Sequence, residues 1–148
     1  MNVKRKRIIF ASIILLIVVA ACSVWYIFTV KFNDTKDEKA EYTVKALDLI
    51  KEFKTNDSLA NKKYAEKIVT VSGLVTEIES ADSTLNIKLG DTLTGSYAIF
   101  AFQQQHLNEV KSIKKGDSIS IKGSCSGGAY SEILESEFIT FKRCAINK

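Results

Sequence analysis

Cys22, Cys125, Cys144 and His106 have the chemistry to act as nucleophile, base or metal ligand, so their surroundings decide what the chain can do. His106 is the only histidine, and no paired-cysteine motif or carboxylate cluster stands at a spacing that would complete a zinc site with it. Set among glutamines on a short helical stretch, it is expected to be a plain surface residue. Ser124, Ser126 and Ser131 have neither a glycine elbow nor an obvious base. Asp82, Asp91 and Asp117 fall at turns, where aspartate is favoured for its backbone hydrogen bonds. Gly127-Gly128 lacks the lysine and hydroxyl residue of a phosphate-cradling loop. The residues thus point to no catalytic group, no metal site and no cofactor, and a non-enzymatic role is expected.

Cys22 has a different chemistry open to it. Val19-Ala20-Ala21-Cys22 is a loose form of the lipobox, in which small residues precede a cysteine that becomes a lipidated N-terminus on cleavage. The alternative is an uncleaved anchor. Lys4-Arg5-Lys6-Arg7 (within a basic segment 1–7) is followed by 8–30, twenty-three residues without a charge. As a helix these rise about 35 Å, enough to cross a hydrocarbon core of about 30 Å. Val24-Trp25-Tyr26-Ile27-Phe28 carries the apolar run past Cys22, and its rings suit a membrane–water interface. The basic cluster marks the cytoplasmic end, so the rest of the chain is expected outside the inner membrane.

The same cluster accounts for the entire formal charge of +4; residues 31–148 carry equal numbers of basic and acidic side chains. A neutral domain lacks the counterion release that dominates phosphate binding, so nucleic acid is not the expected partner.

Residues 31–58 begin with a mixed-charge stretch to Glu41. Tyr42, Ala46, Leu49, Ile50 and Phe53 then recur at spacings of three and four, which predicts an amphipathic helix of about twenty residues from near Thr35 to before Asn56. Residues 59–148 read mainly as strands. Val69 to Ile78, Leu85 to Leu89 and Ile119 to Ile121 alternate, Tyr97 to Phe102 is apolar on both faces and so expected to be central or covered, and Glu132 to Phe141 supplies the fifth. A short helix over 103–113 separates the third and fourth, stopped by Lys114-Lys115-Gly116-Asp117 with Gly116 as its left-handed cap. Gly73 stands near a phase slip between Val71 and Ile78, which predicts a bulge or sharp coil. Gly127-Gly128 is expected to punctuate the last two strands. Three strands, a helix and two strands form the layout of a five-stranded OB-fold-like barrel, mainly β or α+β by content. An open five-stranded sheet or a β-grasp-like fold is the rival.

Lys63-Tyr64 with Lys67, Val71, Gly73, Val75 and Ile78 resembles the K-Y-x-x-K-x-x-x-V-x-G-x-V-x-x-I opening of the bacterial tRNA-anti-like OB-fold family. Gly116, Ile119, Ile121, Gly123, Cys125 and Gly127 are similar to that family's G-x-x-V-x-I-x-G-x-C-x-G. The resemblance covers about residues 60–141 and implies an OB barrel of unknown activity, often exported and often a candidate lipoprotein. It gives Gly73, Gly116, Gly123 and Cys125 structural roles. The family often has a second cysteine in the last strand, where this chain has Ser136 or Glu137 and a later Cys144. If the last two strands form a hairpin turning near Cys125, Cys144 lies beyond its open end. Two buried free thiols are therefore expected, with a disulfide as the alternative.

Tyr97 and Tyr130, with Lys88 and Lys122, are the candidates for a binding face, while Phe100 and Phe102 are expected in the core. Two roles remain open. One is a membrane-anchored, extracytoplasmic binding module for an unknown protein, peptide, glycan or small ligand of the envelope. The other is an accessory or scaffold subunit of an envelope complex, assembled through its anchor and the Tyr42–Phe53 helix.

Overall fold

The computed structural model describes residues 3–29, 34–81 and 84–147. The expected turn residue Asp82, the start of the mixed-charge stretch at 31–33, and Val30 lie outside them. Two compact units emerge, 1–33 and 34–148.

The first holds one helix, α1 (Val3–Thr29). Its stretch Ile9–Thr29 has a mean hydropathy of 2.5 and buries none of its residues, so it is long and apolar enough to cross a membrane. Two of its hydroxyls are turned back on the helix: Ser23 Oγ donates to the Val19 carbonyl at 2.8 Å and Thr29 Oγ1 to the Trp25 carbonyl at 2.7 Å. Hydroxyls satisfied in this way need no water.

The second unit is a closed five-stranded barrel with one added strand. The barrel strands are β2 (Ile68–Ala81), β3 (Thr84–Gly90), β4 (Tyr97–Phe102), β5 (Ser118–Ser131) and β6 (Ser136–Ile146). β2 pairs antiparallel with β5 through Ile68–Leu74, then with β3 through Val75–Ala81. β4 joins β3 antiparallel and β6 parallel, and β5 joins β6, which closes the ring. The expected irregularity in β2 is a register shift between Val75 and Glu77, at the point where the strand passes from one partner to the other. Gly73 serves another purpose: a Cβ there would stand 2.9 Å from Ala46 Cβ. Inward-facing Val69, Val71, Val75, Ile87, Leu89, Ile121 and Ile139 fill the barrel, with the Phe100 and Phe141 rings stacked 4.6 Å apart.

The long helix predicted upstream is corrected to something shorter. Tyr42–Lys45 is a strand, β1, parallel to β2 in the register Tyr42 with Val69. Tyr42 and Val44 satisfy period two as well as a helical stripe, and backbone pairing with β2 decides between them. The helix α2 (Ala46–Thr55) starts only there and buries Ala46, Leu49, Ile50 and Phe53, touching all six strands across one end of the barrel. Asn56 does not end the helical region. It ends α2 and caps α3 (Asp57–Tyr64), its Oδ1 accepting the Leu59 N–H at 3.0 Å. Tyr64 is fully buried between Phe53 and Tyr42, and its hydroxyl bonds Glu52 at 3.0 Å. The Lys-Tyr of the recognised motif is thus a core anchor with a polar exit.

Two further expectations change. The helix over 103–113 is a 3-10 turn, 104–106, followed by α4 (Leu107–Val110), with Val110 buried at the other end of the barrel. Gly116 does take a left-handed φ of +93°, in the loop that returns to β5, where its N–H donates to the Val75 carbonyl. Gly127-Gly128 does not separate strands. β5 runs through it with a bulge between Cys125 and Gly127, and the turn before β6 is 132–135. Gly127 has φ +103°, and a Cβ on Gly128 would lie 2.7 Å from the Phe53 ring. Asn61 seals this approach, donating Nδ2 to the Gly128 carbonyl and accepting the Gly128 N–H.

Candidate ligand-binding face

β3 and β4 place alternate residues outward, and two of the four expected face residues meet there. Lys88 Nζ lies 4.7 Å above the Tyr97 ring. The ammonium also bridges Glu77, at 3.0 Å, and Glu79. The Glu79 hydrogen bond raises the Lys88 pKa against the opposing effect of burial. Beside this stack is a cleft of about 230 Å³ lined by Thr76, Glu77, Lys88, Gly90, Asp91 and Tyr97. The sheet face is therefore a shallow polar cleft whose lysine is already neutralised by two carboxylates.

Tyr130 and Lys122 are not part of it. Tyr130 is half-exposed near the end of β5, opposite Glu137. Lys122 donates to the carbonyls of Lys36 and Glu38 at 3.0 and 2.9 Å, stapling the leading segment 34–38 to the barrel. Phe100 and Phe102 are buried as expected.

His106 is corrected from a surface residue to a buried one, 6% exposed. Its Nε2 lies 2.8 Å from Asp34 Oδ1, and its Nδ1 3.6 Å from Glu109 Oε1. Burial opposes the Asp34 charge, but the Lys36 N–H, His106 and Gln105 more than offset it and hold the carboxyl below its usual range. Lys36 closes the group with a 2.9 Å bond to Glu109. This is a clasp between the start of the domain and the 104–110 turn. No side chain of Asp34–Glu38 repeats at a period that would have revealed it, and the histidine's partner lies 72 residues away.

Cys125 and Cys144 are free and buried. The geometry expected for them changes: Cys125 is mid-strand opposite Phe141, not near the turn. Burial pushes both thiols above their ordinary pKa, which keeps them protonated and unreactive. Among the described residues no group of three or more His, Cys, Asp or Glu could hold a metal ion. A groove of about 440 Å³ between α2 and α3 is lined by Asp48, Lys51 and Leu59 among others, and Lys63 pairs with Glu52 across it at 2.8 Å.

The family model described as tRNA_anti-like matches residues 1–136. The chain belongs to this tRNA_anti-like family. The match covers α1, β1, α2, α3 and the barrel up to the start of β6. Among solved structures, the fold is shared with a candidate nucleic acid-binding lipoprotein from Klebsiella pneumoniae, at 17% identity and a TM-score of 0.54 over 71% of this chain and 91% of that one. An OBody bound to hen egg-white lysozyme aligns at 16% identity and a TM-score of 0.44, over 58% of this chain and 87% of that one. The asparaginyl-tRNA synthetase of Entamoeba histolytica aligns at 19% identity and a TM-score of 0.38, over 55% of this chain and only 20% of the enzyme. No curated protein matches the chain. At these identities the likeness is one of fold, and fold does not fix activity.

Proposed function

We propose that this tRNA_anti-like chain is a membrane-tethered, extracytoplasmic OB-fold module that binds a ligand of the cell envelope and catalyses no reaction. The observation that carries this reading is a closed barrel with a preformed outer cleft, preceded in the sequence by an apolar helix of spanning length. Nucleic acid is set aside as the ligand, although the Klebsiella neighbour's description mentions it. The cleft's lysine is committed to Glu77 and Glu79, Lys122 is committed to backbone carbonyls, and residues 31–148 carry no net charge. The scaffold-subunit reading loses its main support, because the apolar stripe of α2 is spent on the barrel: Leu49, Ile50 and Phe53 are buried.

An alkaline phosphatase fused after Lys148 should be active, since that enzyme matures only outside the cytoplasm. Activity solely from a cytoplasm-dependent reporter would overturn the topology. The neighbour's lipoprotein character favours a second reading of the tether, with Cys22 lipidated. Palmitate label that disappears in Cys22→Ala would establish it; unlabelled protein that stays in the membrane would establish the uncleaved helix.

A further inference from the structure

The end of the barrel spanned by the β3–β4 and β5–β6 loops holds side chains that neither the core nor the Lys88–Tyr97 cleft uses. Loop 91–96 is built on Asp91, which accepts the Leu93 N–H at 3.0 Å and the Thr94 hydroxyl at 2.8 Å, while its own backbone bonds Ser96 and Gly95. That internally bonded loop lifts Leu93 to 93% exposure. The 132–135 turn does the same for Ile133, at 94%, and leaves Leu134 at 64%, with the Leu134 N–H held by Ser131 Oγ. Both loops leave the barrel together: Ser96 Oγ accepts the Glu137 N–H at 3.1 Å, and Tyr97 pairs with Phe138. One exposed aliphatic residue is ordinary, but three at the tips of adjacent ordered loops, next to half-exposed Tyr130, form a patch.

The patch has an acidic rim. Asp57, Glu132 and Glu135 are exposed and Asp91 is partly so. Lys54, whose charge acts on Asp91 and Glu137, is the only basic residue of the α2–α3 elbow 54–57 and these two loops. Beneath them Glu137 is 4% exposed, and its Oε2 has no hydrogen-bond partner. Burial, together with the charge of Asp57, raises its pKa. The exposed acidic rim, with the Glu137 carboxyl beneath it, repels phosphates and anionic lipid headgroups, while the aliphatic tips favour an apolar partner. Together they complement basic groups set around an apolar hollow.

We propose that Leu93, Ile133 and Leu134 form a docking surface for a partner protein that presents an apolar cleft rimmed by lysine and arginine. This deepens the binding-module reading and rests on it.

The test uses the full chain in its membrane, with the photoreactive residue benzoylphenylalanine placed singly at Leu93, Ile133, Glu77 or Leu74. Leu74 is also exposed but lies on β2 opposite Ser118, beside the α4–β5 loop. Irradiation should give the same protein adduct from Leu93 and Ile133 and none from Leu74. Combining Glu132→Lys with Glu135→Lys, both exposed side chains, should cut its yield by at least about fivefold while leaving thermal melting unchanged. Adducts to lipid or to a second copy of the chain would overturn the proposal, as would a yield indifferent to charge reversal. An adduct from Glu77 alone would overturn this docking surface and leave the cleft reading intact. No adduct from any position would count against both.

Discussion

A methyl group at Gly123 would stand 2.6 Å from Cys144 Sγ and 3.4 Å from Phe141 Cβ, between two strands that are already packed. Gly123→Ala in a fragment spanning 34–148 should therefore lower stability by about 1–3 kcal/mol, the range for overpacking, read as a fall in the urea midpoint. An unchanged midpoint would mean that β5 and β6 can part there at no cost. Two carboxyls make opposite statements about pH. Asp34 has a depressed pKa, so its contribution is present above its ordinary value of 3.8 and is lost as pH falls through the lower folded value. Asp34→Asn should cost about 1 kcal/mol near neutrality, as partly exposed pairs do, with the gap closing as pH falls below the ordinary carboxylate value of 3.8. Glu137 has a raised pKa, so folding favours its protonated form and its burial costs stability once pH rises above its ordinary value of 4.5. Glu137→Gln should raise the urea midpoint near neutrality and make no difference in acid. If both variants shift stability alike at all pH values, the assigned environments are wrong.

Among the elements, α2 carries more than its ten residues suggest. Leu49, Ile50 and Phe53 are as buried as the barrel strands, and Gly73 and Gly128 are glycines because α2 presses on them. A fragment beginning at Asp34 should show a cooperative urea transition, and one beginning at Leu59 should not, since it leaves that apolar end of the barrel open to water. Equal cooperativity would show that the helix is an ornament on a self-sufficient barrel. The strand order was legible because Leu85, Ile87 and Leu89 alternate without competition from another period, and Tyr97 to Phe102 is a short, unbroken apolar run. β1 was not, since Tyr42 and Val44 fit two periods and only a partner 27 residues on, Val69 and Val71, selects one. The turn before β6 was misplaced because Gly127-Gly128 has turn composition, while its cause is tertiary: Asn61 and the Phe53 ring leave no room for a Cβ. The Lys88–Tyr97 pair was legible as two residue types on neighbouring strands. Glu77 and Glu79, which cancel the lysine, became visible only through the β2–β3 register.

At the scale of the whole molecule, charge and fold pull toward different partners, and magnitudes decide between them. An OB barrel that binds single strands without sequence preference couples a basic track to exposed rings, each stacked base contributing about 1–3 kcal/mol. Here Phe100 and Phe102 are buried, Tyr97 lies beneath Lys88, and the pole bearing half-exposed Tyr130 is rimmed by Asp57, Glu132 and Glu135. The excess of basic charge sits in Lys4–Arg7, ahead of the apolar helix and outside the barrel unit. On this count few phosphates should be neutralised, and little salt-dependent, non-specific affinity is expected. The 34–148 fragment should bind labelled single-stranded RNA or DNA no more tightly than about 100 μM at physiological salt, measured by fluorescence anisotropy. Lowering the salt should strengthen binding only slightly, because the slope follows the number of phosphates contacted. Low-micromolar affinity with a steep salt slope would instead reveal a basic track formed by Lys111, Lys114 and Lys115 around the α4–β5 loop. It would return the barrel to the nucleic-acid role that its family name carries.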